Sequence, residues 1–285
     1  HVDNIIQLPD SPSALAGHVL DLHLFNNTAK ARPGSGLKRD VERIRLEDAK
    51  KYYPQLLRTD RLKLLVIGGK DRASILEKII PKVEALSCRS CGKPGVTSRT
   101  WKFPEWKVPQ DQLLVVSRPG ISEAHVRMGF VGPKRKVPEF YDLRVAETIL
   151  GGTFASRLNL VIREKLNLTY GISAGFSFGQ STGAFILSSS TRNEKIGDLI
   201  QEVNRLLRGF QAGDITEQDL QIAKDYLTGS FPLGLQNLYV VAGMYFNGLL
   251  NGLDPEFIDE YQSRIQAVTR ASVKAAVKKY FHLEK

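Results

Sequence analysis

Apolar residues at helical spacing dominate the first part of the chain. Leu15, Val19, Leu22 and Phe25 predict a helix over 13–25, and residues 26–36, with Pro33, Gly34 and Gly36, break it. A second helix is predicted over 46–57. Residues 62–67 then form a short, nearly all-apolar run closed by Gly68 and Gly69, a pattern that suits a strand buried on both faces. Another helix is expected over 72–85. Residues 87–109 gather glycine and Pro94, Pro104 and Pro109 between periodic segments, and read as a linker.

Past the linker the pattern changes to paired strands and paired helices. Strands are predicted over 113–117 and 124–131. In the second, Ala124, Val126, Met128 and Phe130 share one face while His125, Arg127 and Gly129 share the other. Pro138 opens a helix that runs to about 150 and stops at Gly151 and Gly152, and a further helix covers 155–165. Tyr170, Ile172, Ala174, Phe176 and Phe178 alternate with Gly171, Ser173, Gly175 and Ser177, the clearest strand pattern of all; residues 183–190 pair with it across a turn at 179–182. Ile196, Leu199, Ile200, Val203, Leu206, Leu207 and Phe210 make an unbroken helical stripe. Thr216 with Asp219 predicts a capped helix start, and two last helices are expected to begin near Asp254 and Thr269.

The chain also aligns with itself. At an offset of 224, residues 44–61 face 268–285 with matching apolar positions and a shared lysine at Lys50 and Lys274; shifted by two, Ala16-Gly17 faces Ala242-Gly243. This predicts an α+β protein built from a duplicated unit whose first copy is incomplete, both ends of the chain reading as cut: residues 1–86 the last part of one unit, 87–109 a linker, and 110–285 a second unit.

Composition narrows the functional classes. With 42% hydrophobic residues, 8% aromatic residues and no low-complexity tract, a packed core is expected rather than disorder. No apolar run reaches the roughly 18 residues of a membrane span, and residues 1–9 lack the regions of a secretion signal. The net charge of +10 is uneven: residues 1–110 carry 20 Lys and Arg against 12 Asp and Glu, residues 111–285 carry 20 against 18. The basic residues are scattered singly, without the arginine-rich arm or aromatic interleaving of a nucleic-acid binder, so a solvated basic face is expected and a nucleic-acid partner is not. Cys88 and Cys91, spaced Cys-x-x-Cys in the linker, admit three readings: plain loop cysteines, a local disulfide, or half a metal site.

The segment 150–176, LGGTFASRLNLVIREKLNLTYGISAGF, resembles the second-domain signature of the pitrilysin/insulinase family of zinc metallopeptidases: a Gly-Gly turn, a Ser-Arg-Leu helix, an Arg-Glu pair and a Leu-x-Tyr strand start. The stretch 33–69, with RPGSG, LEDAKKYY and LLVIGG, is similar to the end of that family's first domain. The resemblance implies a duplicated α/β-roll-type domain, each copy an antiparallel-rich sheet with packed helices, two copies enclosing a chamber for unfolded peptides. It implies zinc hydrolysis from an inverted His-x-x-Glu-His motif, in which two histidines on one helical face hold the metal and the glutamate acts as general base. This sequence has no such motif. Its histidines are His1, His18, His23, His125 and His282, and the closest pair, His18 and His23, is five apart, which reads as helix-surface or packing histidines.

No catalytic residue, metal ligand or cofactor is therefore expected within the chain; zinc would sit in the complete enzyme or in a partner subunit. The resemblance carries a substrate-holding pair onto Arg163 and Tyr170, and it allows Gly151 and Gly152 as a substrate-contacting loop, against the plainer reading of a helix end and tight turn. A guanidinium can donate a fork of hydrogen bonds to a peptide carbonyl, and a phenol can donate to a developing oxyanion. Without the family, Arg163 reads as pairing with a surface acid and Tyr170 as starting a core strand. Glu164 is expected to face away from Arg163 as a solvated charge. The strand at 124–131 could offer its edge to an extended peptide. The partners implied are peptide or unfolded protein, and a zinc-bearing domain or subunit of the same family, or a homodimer. Competing classes are a catalytically dead assembly protein of the same fold and a basic binding module. Bacterial periplasm and cytoplasm are both open.

Overall fold

The computed structural model describes residues 10–26, 28–56, 62–69, 71–85 and 113–283. The expected linker, with Cys88 and Cys91, lies outside the described residues. Helix α1 (Pro12–Leu24) starts where the Ser11 hydroxyl accepts the Ala14 N–H and a proline fills the first turn. Short α2 (Lys38–Val41), α3 (Leu46–Leu56) and α4 (Arg72–Ala85) follow. The second part contains strand β1 (Glu123–Gly132), α5 (Phe140–Leu150), a π-helical segment (Asn159–Lys165), β2 (Ile172–Ser177), β3 (Gly183–Arg192), and then α6 (Ile196–Gln211), α7 (Glu217–Leu235), α8 (Leu238–Leu250), α9 (Tyr261–Ala267) and α10 (Arg270–Tyr280).

The three strands form one antiparallel sheet in the order β1–β3–β2, with Phe130, Phe185 and Phe176 aligned across it. Alternation puts these three rings on one face. There Phe281, just past α10, closes over them with ring centroids 4.9–5.7 Å away. The main core lies on this face, filled by Leu143, Ile149 and Leu150 of α5, Leu199, Val203 and Phe210 of α6, Leu227 of α7 and Val273 and Val277 of α10. The opposite face is covered by α1: Leu24, Phe25 and Ala31 pack with Ala184, Val131 and Ile186, and the Arg127 guanidinium donates to the Ser13 hydroxyl at 2.6 Å. The sheet is thus held between α1 on one face and α5 and α6 on the other, with α10 packed against those two helices. The helix starts use side-chain chemistry visible in the sequence, with reciprocal capping boxes at Thr216/Asp219 and Thr269/Ser272.

Two expected strands do not form. Residues 62–67 and 113–117 have no ladder partner among the described residues, and both are largely solvent-exposed, Leu64 at 55% and Leu113 at 81%. Apolar composition alone cannot make a strand, since the backbone needs a neighbour to pair with. The helix expected from Pro138 begins two residues later, at Phe140. The helix expected near Asp254 is a single 3-10 turn, Pro255–Phe257, followed by α9.

Candidate functional site

Gly151 and Gly152 end α5. Both N–H groups donate to the Glu147 carbonyl, at 2.9 and 2.8 Å, which closes the last turn and brings the backbone against β2. There is no room for a side chain at the first glycine, where a Cβ would stand 2.6 Å from the Ala174 nitrogen. This contact lets the Gly151 carbonyl accept the Ala174 N–H at 3.2 Å. Two side chains continue the same row. Asn159 Oδ1 accepts from Ile172 N–H at 3.5 Å, and Glu147 Oε2 accepts from Phe176 N–H at 2.6 Å. The outward N–H groups of Ile172, Ala174 and Phe176 are therefore all occupied, and the outer edge of β2 is closed to a further strand.

Glu147 does this from a buried position, paired with Arg144 one turn earlier on α5. Burial lifts its pKa above the ordinary range, outweighing the opposite pull of the Arg144 guanidinium and the Phe176 N–H. Gly175 leaves space for the carboxylate, since a Cβ there would come within 3.2 Å of Glu147 Oε2.

Beside this closed edge lies an open groove of about 910 Å³, lined by Gly151, Gly152, Phe154, Gly171 and Ser173 on one side and Ile222 and Tyr226 of α7 on the other. Arg157 fixes the two walls together, reaching Asp214 at 3.0 Å and Asp219 at 2.7 Å. Asn159 ties the Gly-Gly loop to β2 by donating to the Thr153 and Ile172 carbonyls.

Neither Arg163 nor Tyr170 lines the groove; Arg163 adjoins it through Phe154 and Tyr170 through its chain neighbour Gly171. The backbone around Arg163 winds in wide turns, the Leu166 N–H donating to the Val161 carbonyl and Leu168 to Ile162, both at 3.0 Å. The winding stops at Asn167, whose φ of 51° lies in the left-handed region that asparagine tolerates. The Arg163 guanidinium lies 5.0 Å from the ring centroid of Phe154, a groove residue, and 3.3 Å from the Glu164 carboxylate. Glu164 does not face away, as expected from sequence; the two adjacent side chains meet.

Tyr170 is not a core residue: its side chain is 88% exposed. Its backbone is nevertheless pinned. Thr169 Oγ1 donates to the Ser190 carbonyl at 2.7 Å and accepts from the Gly171 N–H, while Thr191 donates to the Leu168 carbonyl. The fixed main chain sets where the ring is presented, while the ring's own rotamer freedom would still be lost on meeting a ligand. The other sheet edge is β1, which has no second strand neighbour among the described residues and lies on the far side of the sheet from the groove.

No zinc site fits these residues. Among the described residues no group of three or more His, Cys, Asp or Glu could hold a metal. His18 and His23 sit about 140° apart around α1, too far to share an ion. Nor is any helix among the described residues long and apolar enough to cross a membrane. The sequence assigned no role to Glu147, Arg157 or Asn159, although Arg157 is the arginine of the Ser-Arg-Leu signature.

A family model described as the peptidase M16 inactive domain matches residues 43–227. The crystal structure of a peptidase M16 inactive domain from Pseudomonas fluorescens superimposes with a TM-score of 0.88 at 22% identity, over 100% of this chain and 66% of that one. Among curated relatives, an uncharacterized zinc protease of Mycobacterium leprae is 22% identical over 83% of this chain and 52% of its own length. A non-peptidase homolog, YmxG of Helicobacter pylori, is 24% identical over 93% of this chain and 59% of its own length. The chain thus spans little more than half the length of these relatives. The chain belongs to the peptidase M16 family, through that family's inactive domain.

Proposed function

We propose that this chain is the non-zinc, peptide-holding part of a zinc-dependent endopeptidase, and that a zinc-bearing domain or subunit of the same family supplies the hydrolytic step. The observation that carries the reading is Tyr170, an exposed phenol on a pinned backbone next in the chain to the groove residue Gly171, with Arg163 over Phe154, another groove residue. The phenol would donate to the carbonyl oxygen as it gains charge, and the guanidinium would donate to a peptide carbonyl or terminal carboxylate. Gly151 and Gly152 would border the peptide with main chain only, since the space a Cβ would take at each is filled by this chain's own Ala174 and Thr148. Because the β2 edge is closed, side chains rather than strand addition would hold the peptide at this groove.

The test is cleavage of an unfolded peptide by the 285-residue chain alone and after mixing with the zinc-bearing M16 protein of the same genome. No cleavage is expected alone, and zinc-dependent cleavage once mixed. Tyr170→Phe should then lower kcat about 100-fold, the order of losing one oxyanion donor. Robust cleavage by the chain alone would refute the reading. A second reading, an assembly protein that keeps the fold without catalysis, is favoured by the similarity to a relative named as a non-peptidase homolog. It predicts stable membership of a complex that Arg163→Ala and Tyr170→Phe leave unchanged.

A further inference from the structure

We infer that the turn leading into α5 is a binding site for a carboxylate, in which the Arg135 guanidinium receives an acidic side chain of a polypeptide ligand. The site stands about 16 Å, the length of α5, from the groove at that helix's other end, and it needs neither Arg163 nor Tyr170. Its backbone is held from two sides. The Arg135 N–H donates to the Gly179 carbonyl at 2.8 Å, in the turn between β2 and β3, and Lys134 makes a bridge to the same glycine. Lys136 Nζ donates to the Gly252 carbonyl, just past α8, at 2.9 Å.

With both neighbours engaged, the Arg135 side chain lies over the Phe140 ring, its Cζ 3.3 Å from the centroid. That is stacking distance, so the ring covers one face of the guanidinium while the N–H groups point outward in its plane, where they can still donate. The ring is itself fixed, buried and edge-on to Tyr141 and Phe178 with centroids 5.2 and 4.8 Å away. A guanidinium stacked on a buried ring has given up much of its rotamer freedom before an acceptor arrives.

Its donors meet no acceptor among the described residues, which give the Arg135 side chain no ion pair and no hydrogen bond. The acids of α5 and its surroundings are already engaged: Glu139 accepts from Lys279 and Tyr280, Asp142 from Ser272, Glu147 from Arg144 and the Phe176 N–H, and Glu260 from Arg264. The groups that bear on Arg135 instead are a second guanidinium, Arg144, and the phenols Tyr141 and Tyr261, whose rings meet at 6.0 Å. Burial chiefly works against the Arg135 charge, repulsion from Arg144 adds to it, and an arriving anion relieves both. One cation is left over, so one negative charge balances it. A carboxylate carries one and offers two oxygens that match the guanidinium fork, whereas a phosphate dianion leaves an excess. A single half-exposed ion pair binds weakly, so the site suits one acidic residue of a longer polypeptide rather than a free small acid.

The test follows the Nε–H signals of Arg135 and Arg144 by NMR in the 285-residue chain, isotopically labelled at nitrogen. Acetyl-Gly-Glu-Gly-amide is the probe, its Gln twin is the control, and sodium chloride holds the ionic strength constant. The Glu peptide should move both signals to saturation with a Kd in roughly the millimolar range, and the Gln twin should move neither. Arg135→Gln should weaken binding, read on the Arg144 signal, about tenfold. Arg135→Lys keeps the charge without the fork and should weaken it less, which keeps the test decisive where the Gln variant is unstable. Equal shifts with the Glu and Gln peptides, shifts that never saturate, Arg144 shifts that both variants leave unchanged, or tighter binding of inorganic phosphate than of the Glu peptide would overturn the inference.

Discussion

At the scale of single residues, Glu147 combines burial, charge and a structural task. Removing it by Glu147→Ala should cost on the order of 3 kcal/mol, since it takes the carboxylate from Arg144, leaving it only Tyr261, and leaves the Phe176 N–H buried without an acceptor; denaturant unfolding would measure this. The direction of its pKa also fixes a pH dependence. With the folded value raised by burial, the native chain keeps a proton that the unfolded chain has lost, so stability falls as pH rises from the ordinary glutamate value of about 4.3 toward the folded value. Unfolding midpoints across this window should show that slope in the wild type and lose it in Glu147→Gln. The sequence hid this residue because Arg144 and Glu147, three apart on a helix, have the spacing of an ordinary surface ion pair. It also hid the setting of Tyr170. Alternation with Ile172 and Ala174 made it look like the first core residue of a strand, but the main chain is held by Thr169 and Thr191 in a way that turns its ring outward.

At the scale of elements, local chemistry was mostly readable and pairing was not. The helices announced themselves by period and caps, and β1, β2 and β3 by alternation and a turn between the last two. The runs 62–67 and 113–117 had strand composition but no partner within the described residues, and a strand is defined by its neighbour. Two element-level predictions follow from the contacts around the groove. Thr216→Ala should cost about 1 kcal/mol by removing the acceptor for the Asp219 N–H at the start of α7, seen as a lowered melting temperature. Gly151→Ala should cost more, about 2 kcal/mol or above, because the added methyl overlaps Ala174 and must push the α5 end away from β2. Hydrogen exchange should then quicken at the Ala174 amide, whose acceptor is the Gly151 carbonyl, before it quickens at β3.

At the scale of the whole molecule, the resemblance seen in residues 150–176 was enough to anticipate the family and the fold class, because the Gly-Gly turn, the helix and the strand start occur together in order. The charge of +10 was a weaker guide. Several of the described basic residues of the first part are offset locally, Lys38 by Glu42, Arg39 by Asp40 and Lys30 by the nearby Asp21. Any binding of the chain to DNA should therefore be weak and vanish by about 0.2 M salt, a loss that filter binding across a salt series would record; retention above that concentration would restore a nucleic-acid role. The closed edge of β2 has a consequence of its own for how such proteins stay apart. Sheets stick to each other through unpaired edges, and here one of the two is sealed by three acceptors drawn from a helix end, an asparagine and a buried glutamate. Among the described residues the sheet has a single open margin, at β1, which can join one neighbour and then no more, so crowding or partial unfolding that spares α5 would end in pairs rather than fibres.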